Sequence, residues 1–355
     1  MTVQVEAEPA KMQAYLLHGM RDLRAARLDV PRPGPRQVIV RVRRAGICGS
    51  DVHYFLHGRA GRFVPRRPLV LGHEFAGEVV ELGDGAPPQL LGARVAVDPS
   101  MPCGTCDHCR SGRYNLCLDM RFFGSASCDP HIDGGFAEFV AVPAGNCHVL
   151  PGNLGWGEAA LIEPLSVALH AALRSGGVSG RSVLVTGGGA IGLLLTMTAR
   201  AFGARQVVLS DPLPFARGRA LELGADLAID PSDAAFAGRA VEASDGGFEI
   251  AFEAAGAPAA LGQALAAVRR GGTIVQVGTL PDEVTLPLNE VMARELTLFG
   301  SFRFANVFGM VLDLVAGRRI DAGRVISAVY PLGEMPAAMA RAVGKDEAIK
   351  VQVEP

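Results

Sequence analysis

The stretch SVLVTGGGAIG, residues Ser182–Gly192, decides the fold. A short apolar run with the character of a buried strand ends at Thr186, and the pattern G-x-G-x-x-G follows at once in Gly187, Gly189 and Gly192. In a strand–turn–helix unit the first glycine permits the tight turn, the second lets the backbone approach a pyrophosphate, and the third lets the helix pack closely on the strand. The stretch therefore predicts a dinucleotide site.

Two features downstream of the glycines support this prediction. Ala190 and Ile191 open the predicted helix, whose first N–H groups would face the phosphates. Asp211 ends the next predicted strand, where an acid binds the hydroxyls of the adenosine ribose. Because its charge would repel a 2′-phosphate, Asp211 favours NAD over NADP. Arg217 and Arg219 lie just downstream, either as ordinary cations on a helix face or as residues that help to tolerate NADP.

Strand and helix patterns alternate around this motif and indicate a doubly wound parallel sheet in an α/β protein. Both flanks are richer in strands, so we predict that they form one discontinuous domain. The predicted elements are the strands Gln37–Val42, Phe75–Leu82, Ala93–Asp98, Phe136–Val142, Ser182–Thr186, Gln206–Ser210, Phe248–Ala255, Thr273–Val277 and Lys350–Val353, and the helices Ala190–Phe202, Phe215–Leu223, Pro258–Arg269 and Val307–Ala316.

Composition restricts the class of protein. A chain of 355 residues suggests about two domains. Lys and Arg (34) nearly balance Asp and Glu (36), so nothing indicates a nucleic-acid partner or an anionic membrane. The apolar run Ile191–Met197 is far shorter than the ~18 residues of a membrane span. Met1–Lys11 lacks the apolar block of a secretory signal and is predicted to be a flexible leader. We expect a cytoplasmic protein that acts on a small molecule.

Four of the seven cysteines are closely spaced in a loop rich in glycine and polar residues: Cys103, Cys106, Cys109 and Cys117. Four thiolates at this spacing can enclose one tetrahedral zinc ion with no open position. An iron–sulfur cluster can use similar spacing, and free thiols are the remaining alternative. We predict a structural zinc site, because a disulfide framework belongs to much shorter secreted chains.

Three other segments offer ligands for a second metal site. Cys48, His73 with Glu74, and Glu163 provide a thiolate, an imidazole and carboxylates. Three protein ligands plus one exchangeable position is the arrangement of catalytic zinc. Each residue alone has an ordinary explanation, since a single cysteine or histidine is usually a packing residue and Glu163 precedes a proline at a helix start.

Taken together, these motifs resemble the medium-chain zinc dehydrogenase family over nearly the whole chain. Gly72-His73-Glu74 followed by Gly77 and Val80 is the most specific of them. The resemblance implies a β-rich, GroES-like catalytic domain formed by residues 1–163 and 305–355, and a Rossmann domain formed by residues 164–304. It also implies catalytic zinc, structural zinc and a nicotinamide cofactor, and suggests a homo-oligomer, either a tetramer or a dimer.

Within the family, Glu163 stands where alcohol dehydrogenases use a cysteine, which resembles the polyol dehydrogenase branch, as does Val52-His53-Tyr54. In that branch the third zinc contact is divided between Glu74, Glu163 and water. Segments 119–126, 130–136 and 300–304 resemble the L-idonate 5-dehydrogenase group, which acts on a sugar acid. We therefore expect a sugar acid as substrate, with a neutral polyol such as sorbitol, xylitol or threitol as the alternative.

The resemblance also implies roles for individual residues. Tyr54, Phe122 and Glu163 are expected at the substrate, and Arg121 or Arg303 at its carboxylate. Four residues are expected near the nicotinamide: Val277, Gly278, Phe302 and Arg303. Ser50 and His53 are expected to form a proton relay.

The implied reaction moves a hydride from a zinc-polarised secondary alcohol to the nicotinamide. Alternatively, His53 only binds the ribose. A non-catalytic dinucleotide-binding protein would need a damaged zinc site, and here all the ligand types are present.

Overall fold

The computed structural model describes residues 11–233 and 236–355. The leader predicted for Met1–Lys11 lies almost entirely outside these residues. The strands are β1 (Lys11–Gly19), β2 (Asp22–Asp29), β3 (Gln37–Gly46), β4 (Leu69–Val70), β5 (Glu74–Leu82), β6 (Arg94–Val97), β7 (Ser100–Met101), β8 (Arg121–Phe122), β9 (Phe139–Pro143), β10 (Cys147–Val149), β11 (Ser182–Thr186), β12 (Gln206–Ser210), β13 (Leu227–Ile229), β14 (Phe248–Glu253), β15 (Val268–Gln276), β16 (Thr297–Gly300), β17 (Ile326–Pro331) and β18 (Lys350–Glu354).

The α-helices connect these strands and cover the sheets. They are α1 (Gly49–His57), α2 (Asp107–Arg110), α3 (Trp156–Ala160), α4 (Ile162–Arg174), α5 (Ala190–Ala201), α6 (Pro214–Glu222), α7 (Phe236–Ala243), α8 (Pro258–Ala267), α9 (Leu288–Ala293), α10 (Phe308–Ala316) and α11 (Met335–Val343). Short 3₁₀ turns occupy Pro88–Leu90, Tyr114–Leu116, Ala144–Asn146, Ala322–Val325 and Leu332–Glu334.

Six parallel strands form the sheet that the glycine motif predicts. Their order is β13-β12-β11-β14-β15-β16, the Rossmann order, and every neighbouring pair is parallel. The strand order changes sense between β11 and β14: earlier strands lie on one side of this point and later strands on the other. Such a switch point opens a crevice at the carboxyl ends of the strands. The expected doubly wound sheet is confirmed, and its ligand-binding edge follows β11.

The second large sheet joins both ends of the chain. It runs β10-β6-β5-β3-β18-β17, and β9 also pairs with β3. β18 pairs with β3 through Gln352 opposite Gly46, so the last strand lies beside the segment that precedes Cys48. This arrangement confirms the two-part fold class, in which a β-rich unit receives strands from both flanks of the parallel sheet.

Helix α10 lies on the side of the parallel sheet. Its buried residues Phe308, Val311 and Val315 share a core with Leu165 of α4 and Leu194 of α5. The predicted boundary at residue 305 places this helix in the β-rich unit, although its buried side chains pack on the helices of the parallel sheet. The domain boundaries stay a prediction. Within the described residues, no helix is both long enough and apolar enough to cross a membrane.

Candidate active site

A cleft of about 1490 Å³ is lined by residues from both halves of the fold. It collects most of the site residues predicted from the sequence: Cys48, Ser50, His53, Tyr54, His73, Glu74, Phe122, Glu163, Gly187, Gly189, Ala190, Ile191, Asp211, Val277, Gly278, Phe302 and Arg303. Gly192 and Arg121 do not line it. One continuous cleft therefore joins the predicted metal ligands to the predicted dinucleotide site.

Three candidate metal ligands meet where α1 and β5 begin. Ligand atoms of Cys48, His73 and Glu74 all lie within 4.8 Å of one another. Cys48 immediately precedes α1, and its N–H donates to Asp51 Oδ2 at 2.8 Å. His73 follows Gly72, whose φ of +93° and close contact with the Phe136 ring leave no room for a side chain. The local backbone thus fixes both segments.

Asp51 lies behind His73. Its Oδ1 is 3.7 Å from His73 Nδ1, and both atoms are buried without a hydrogen-bond partner among the described residues. Burial raises the pKa of Asp51, and the positive charge that His73 can carry opposes this effect. A carboxylate that accepts one ring N–H of a histidine orients the imidazole so that its other nitrogen can bind a metal. Asp51 is not among the residues predicted for the site, although an acid three residues after Cys48, at the start of a helix, is a signal for a capping box.

Glu163 enters the site from α4. Its side chain is buried and forms no hydrogen bond or ion pair with any described residue. Burial raises the pKa of Glu163 to about 8; of the nearby charges, His73 opposes this effect, and Glu74 and Cys48 add to it. Glu74 differs, because both of its oxygens accept hydrogen bonds from Lys350 Nζ at 2.7 Å. Lys350 is not among the predicted site residues either, because it is 276 residues from Glu74 and no local pattern indicates the contact.

The donor set suits zinc. Burial raises the pKa of the Cys48 thiol to about 12, and the charge of Glu74 raises it further. A thiolate here needs a compensating cation, and the ammonium group of Lys350 is already bound to Glu74. A divalent ion would lower the pKa of the thiol and hold thiolate, imidazole and carboxylate together. The residues present therefore fit a zinc ion.

The end of the cleft beside His73, where the sequence predicts the substrate, is aromatic and cationic. The Phe122 ring lies 5.7 Å from the His73 ring, and Arg303 Cζ lies 3.9 Å from the centre of Phe122. Phe302 and Phe63 also face this guanidinium, at 5.0 and 5.9 Å. Arg303 makes no hydrogen bond or salt bridge to a described residue. Burial lowers the pKa of Arg303 to about 10, against the effect of Glu163.

Two other predicted substrate residues differ in position. Tyr54 is buried, and its hydroxyl accepts the Ala126 N–H at 3.1 Å and lies 3.4 Å from Ser125 Oγ. Arg121 is exposed, because it alternates with the buried Phe122 in the short strand β8. The structure therefore brings Tyr54 and Phe122 to the cleft and leaves Arg121 outside it.

The expected relay residues line the cleft on the α1 side. Burial lowers the pKa of His53, and the charges of His57 and Lys345 lower it further. The rings of His53 and His57 lie 5.7 Å apart, edge to face. Ser50 also donates a hydrogen bond toward the Cys48 thiol. Ser50 is thus near the thiol, and among the described residues no direct hydrogen bond joins Ser50 to His53.

The glycine turn matches its predicted geometry. Gly187 has a φ of +100°, and a Cβ on Gly192 would lie 1.8 Å from the Gly187 carbonyl oxygen, which only glycine avoids. A Cβ on Gly189 would meet nothing within 4 Å, so this position leaves the cleft open for a phosphate. Asp211 accepts the Gly188 N–H at 2.7 Å and the Leu213 N–H at 2.8 Å.

Arg217, the residue that left NADP open, is already engaged. Its Nη1 donates to the Asp211 and Pro212 carbonyls at 2.7 and 2.8 Å and lies 3.0 Å from Asp230 Oδ2. Arg219 pairs with Glu222 on the surface of α6. The guanidinium groups of Arg217 and Arg219 therefore already bind partners within the protein.

The four loop cysteines form the second candidate metal group. Their sulfur atoms all lie within 4.8 Å of one another, with Cys103 and Cys109 sulfurs 3.9 Å apart and Cys106 and Cys109 sulfurs 3.5 Å apart. The Cys103 N–H donates to the Cys117 sulfur at 3.2 Å. Four converging sulfurs with this spacing fit a closed tetrahedral zinc site.

Comparison with known proteins identifies the family. Residues 34–152 match the alcohol dehydrogenase GroES-like domain, and residues 190–317 match the zinc-binding dehydrogenase domain. The chain is 37% identical over 352 residues to the sorbitol dehydrogenase of Bacillus subtilis, covering 98% of each chain. The chain belongs to the medium-chain zinc dehydrogenase family. The family resemblance and the expected fold class are both confirmed.

Two further proteins are similar to this dehydrogenase. The L-idonate 5-dehydrogenase (NAD(P)(+)) of Escherichia coli is 36% identical, over 89% of this chain and 91% of the relative. A putative zinc-binding dehydrogenase from Sinorhizobium meliloti, bound to NADP, superposes with a TM-score of 0.90 at 36% identity, covering 98% of this chain and 100% of the other. The dehydrogenase is thus a member of the polyol and sugar-acid group, and zinc and NAD(P) are its cofactors.

Proposed function

We propose that this dehydrogenase oxidises a secondary alcohol of a sugar acid, as in the conversion of L-idonate to 5-keto-D-gluconate, with NAD as the preferred acceptor. The observation that carries the proposal is the guanidinium of Arg303. It is held among three aromatic rings in the cleft and forms no salt bridge with an acid of the described residues. A desolvated cation of this kind is stabilised by an anion, and guanidinium binds carboxylate bidentately.

The position of Arg303 also suits a short substrate. Phe122 contacts both the His73 ring and the Arg303 guanidinium, so about one aromatic ring separates the metal ligands from the cation. An aldonate can place its carboxylate at Arg303 while a distant hydroxyl reaches the metal ligands. The similarity to the L-idonate 5-dehydrogenase of Escherichia coli supports the same substrate class.

We propose Cys48 and His73 as two ligands of the catalytic zinc, with a carboxylate as the third. Distance favours Glu74, whose oxygen lies within 4.8 Å of both other ligand atoms. Hydrogen bonding favours Glu163, which has no other partner among the described residues, whereas Lys350 binds both oxygens of Glu74. Glu74→Gln and Glu163→Gln distinguish the two, because only loss of the true ligand lowers the zinc content.

When bound, zinc would supply Lewis-acid polarisation of the hydroxyl and the nicotinamide would accept the hydride. Phe122 and Arg303 orient the substrate so that its carbinol carbon faces the nicotinamide side of the cleft. The C–H bond of that carbon breaks with its electron pair, the carbonyl forms, and the hydroxyl proton leaves by way of Ser50 and His53 to solvent. His53 is suited to this step because its lowered pKa keeps it neutral and able to accept a proton.

The test compares Arg303→Met with Arg121→Met, which removes the same charge outside the cleft. Loss of a hydrogen bond to a charged group costs about 1.5–3 kcal/mol. We expect kcat/KM for L-idonate to fall about ten- to hundred-fold in Arg303→Met, with a much smaller fall for sorbitol. Equal losses on both substrates would contradict recognition of a carboxylate by Arg303.

A neutral polyol is the second candidate, and the similarity to the sorbitol dehydrogenase of Bacillus subtilis favours it. NADH formation with L-idonate, sorbitol, xylitol and threitol, with and without a chelator, decides between the two. We also propose a homo-oligomer, tetramer or dimer. Edge strand β16 and the neighbouring α9 expose Leu288, Met292 and Leu298, and light scattering in solution measures the mass.

A further inference from the structure

The segment between α1 and β4 places a second guanidinium at the rim of the cleft. Three of its four arginines have partners: Arg59 with Asp282 at 2.6 Å, Arg66 with Asp129 at 3.2 Å, and Arg67 with the His131 carbonyl at 3.1 Å. Arg62 is the exception. It lines the cleft and makes no hydrogen bond or salt bridge to any described residue.

Arg62 and Arg303 share one aromatic ring. Arg62 Cζ lies 5.4 Å from the centre of Phe63, and Arg303 Cζ lies 5.9 Å from the same point. The charge of Arg62 contributes, after burial, to the lowered pKa of Arg303. The two cations therefore repel each other. No described acid forms a salt bridge with either of them, and the charge of Glu163 acts on Arg303 only at longer range.

We propose that Arg62 acts together with Arg303 as a specificity-determining residue that binds the acidic terminal group of the substrate. This inference rests on the proposed function and extends it, because it adds a second cation and predicts recognition of any terminal acid of suitable length. A carboxylate or a phosphate offers several acceptor oxygens, so one group can accept hydrogen bonds from both guanidinium groups. Hydroxyl groups of a neutral polyol cannot offset two positive charges in the same way.

The position of Arg62 sets the size of the expected effect. Its side chain is exposed, so solvent weakens its interaction with an anion, whereas Arg303 is partly enclosed. Exposed ion pairs contribute about 0.2–1 kcal/mol, which corresponds to a change of up to about five-fold. Arg62 thus adjusts affinity for the acid rather than deciding whether the reaction occurs.

The test compares Arg62→Gln with Arg66→Gln, a matched control on the same segment, outside the cleft. The substrates are L-idonate, sorbitol 6-phosphate and sorbitol, assayed with NAD on the zinc-loaded enzyme. In Arg62→Gln we expect kcat/KM to fall by up to about five-fold for both acids, mainly through KM, and less for sorbitol. The difference should shrink at high ionic strength. Arg66→Gln should behave as the unaltered enzyme.

Equal losses on all three substrates, or the same pattern in Arg66→Gln, would overturn the inference. If the unaltered enzyme oxidises sorbitol and neither acid, the proposed function fails separately. Binding of the acids is then measured without turnover, through the fluorescence of the enzyme–NADH complex titrated with L-idonate or sorbitol 6-phosphate. Weaker binding in Arg62→Gln supports it, and unchanged binding refutes it.

Discussion

Lys350 Nζ lies 2.7 Å from both carboxylate oxygens of Glu74, at a point where both side chains are almost completely buried. The same ammonium group donates to the Ile47 carbonyl at 3.2 Å. Burial alone would lower the pKa of Lys350, but the charges of Glu74 and Cys48 raise it above its usual value. The ammonium group therefore stays charged and joins β18 to the segment that carries the candidate metal ligands.

Removing Lys350 should destabilise the protein strongly. Breaking a buried ion pair by removing one partner costs about 3–5 kcal/mol, because the other charge stays buried without compensation. We expect Lys350→Met to lower the free energy of unfolding by about that amount in denaturant titrations of the zinc-loaded enzyme. Lys345→Met, at an exposed position, should change it by less than about 0.5 kcal/mol. Similar changes in both variants would refute a special role for the pair.

The pH dependence should reveal the environment of His53. Burial and the charges of His57 and Lys345 lower its pKa, so the acidic limb of kcat should lie below the ordinary histidine value of about 6.5. Lys345→Gln removes a positive charge that disfavours the imidazolium. The pKa of His53 should therefore rise, and the limb should move to higher pH.

Lys11→Gln is the control for this shift, because Lys11 pairs with Asp29 at 2.7 Å and lies outside the cleft. His53→Gln should lower kcat at least about ten-fold and abolish the response to Lys345→Gln, since general acid–base groups contribute about 10²-fold or more. A limb that stays in place in Lys345→Gln, or persists in His53→Gln, would assign it to another group.

The sequence predicted best those features that are encoded locally. Strands β11 and β12 have their predicted ends, because each is an apolar run bounded by glycine or by a charged residue. For helix α4, which carries Glu163, the sequence indicates only a helix start at this glutamate before a proline, and the extent of the helix is not predicted. Nine of its thirteen residues are buried.

Contacts between distant segments could not be predicted in this way. Lys350 meets Glu74 only because β18 crosses to β3, and no spacing in the sequence encodes that crossing. Arg121 and Phe122 were both expected at the substrate. They are neighbours in the chain, and an extended backbone points neighbouring side chains to opposite sides. Recognising β8 as a strand would have shown that only one of them could face the cleft.

Cofactor choice should depend on Asp211 and on the partner of Arg217. Asp211→Asn removes the charge and keeps an acceptor for the Gly188 N–H. We expect kcat/KM with NAD to fall about ten-fold, equivalent to about 1.4 kcal/mol. The gain with NADP should be small, because Asp230 still holds Arg217.

Asp211→Asn combined with Asp230→Asn removes the acidic partner of Arg217 and leaves its bonds to the Asp211 and Pro212 carbonyls in place. The charge of Arg217 is then available to a 2′-phosphate, so kcat/KM with NADP should rise above that of the single variant. Initial rates with both cofactors measure the change, and Asp230→Asn alone is the control. If the double variant uses NADP no better than Asp211→Asn, the contact between Arg217 and Asp230 does not limit cofactor choice.

The four-cysteine loop should support the active site as well as its own structure. Asn115, between Cys109 and Cys117, donates from Nδ2 to the Phe302 carbonyl at 2.9 Å, next to Arg303. Cys109→Ser should reduce zinc from two ions to one per chain and lower the free energy of unfolding by about 4 kcal/mol or more, as loss of a structural metal does. Because Phe302 and Arg303 then lose this support, KM for the substrate should also rise.

Cys147→Ser is the control, since its thiol lies outside both metal groups. Metal analysis of the purified variants decides the matter, and two retained zinc ions in Cys109→Ser would contradict the assignment.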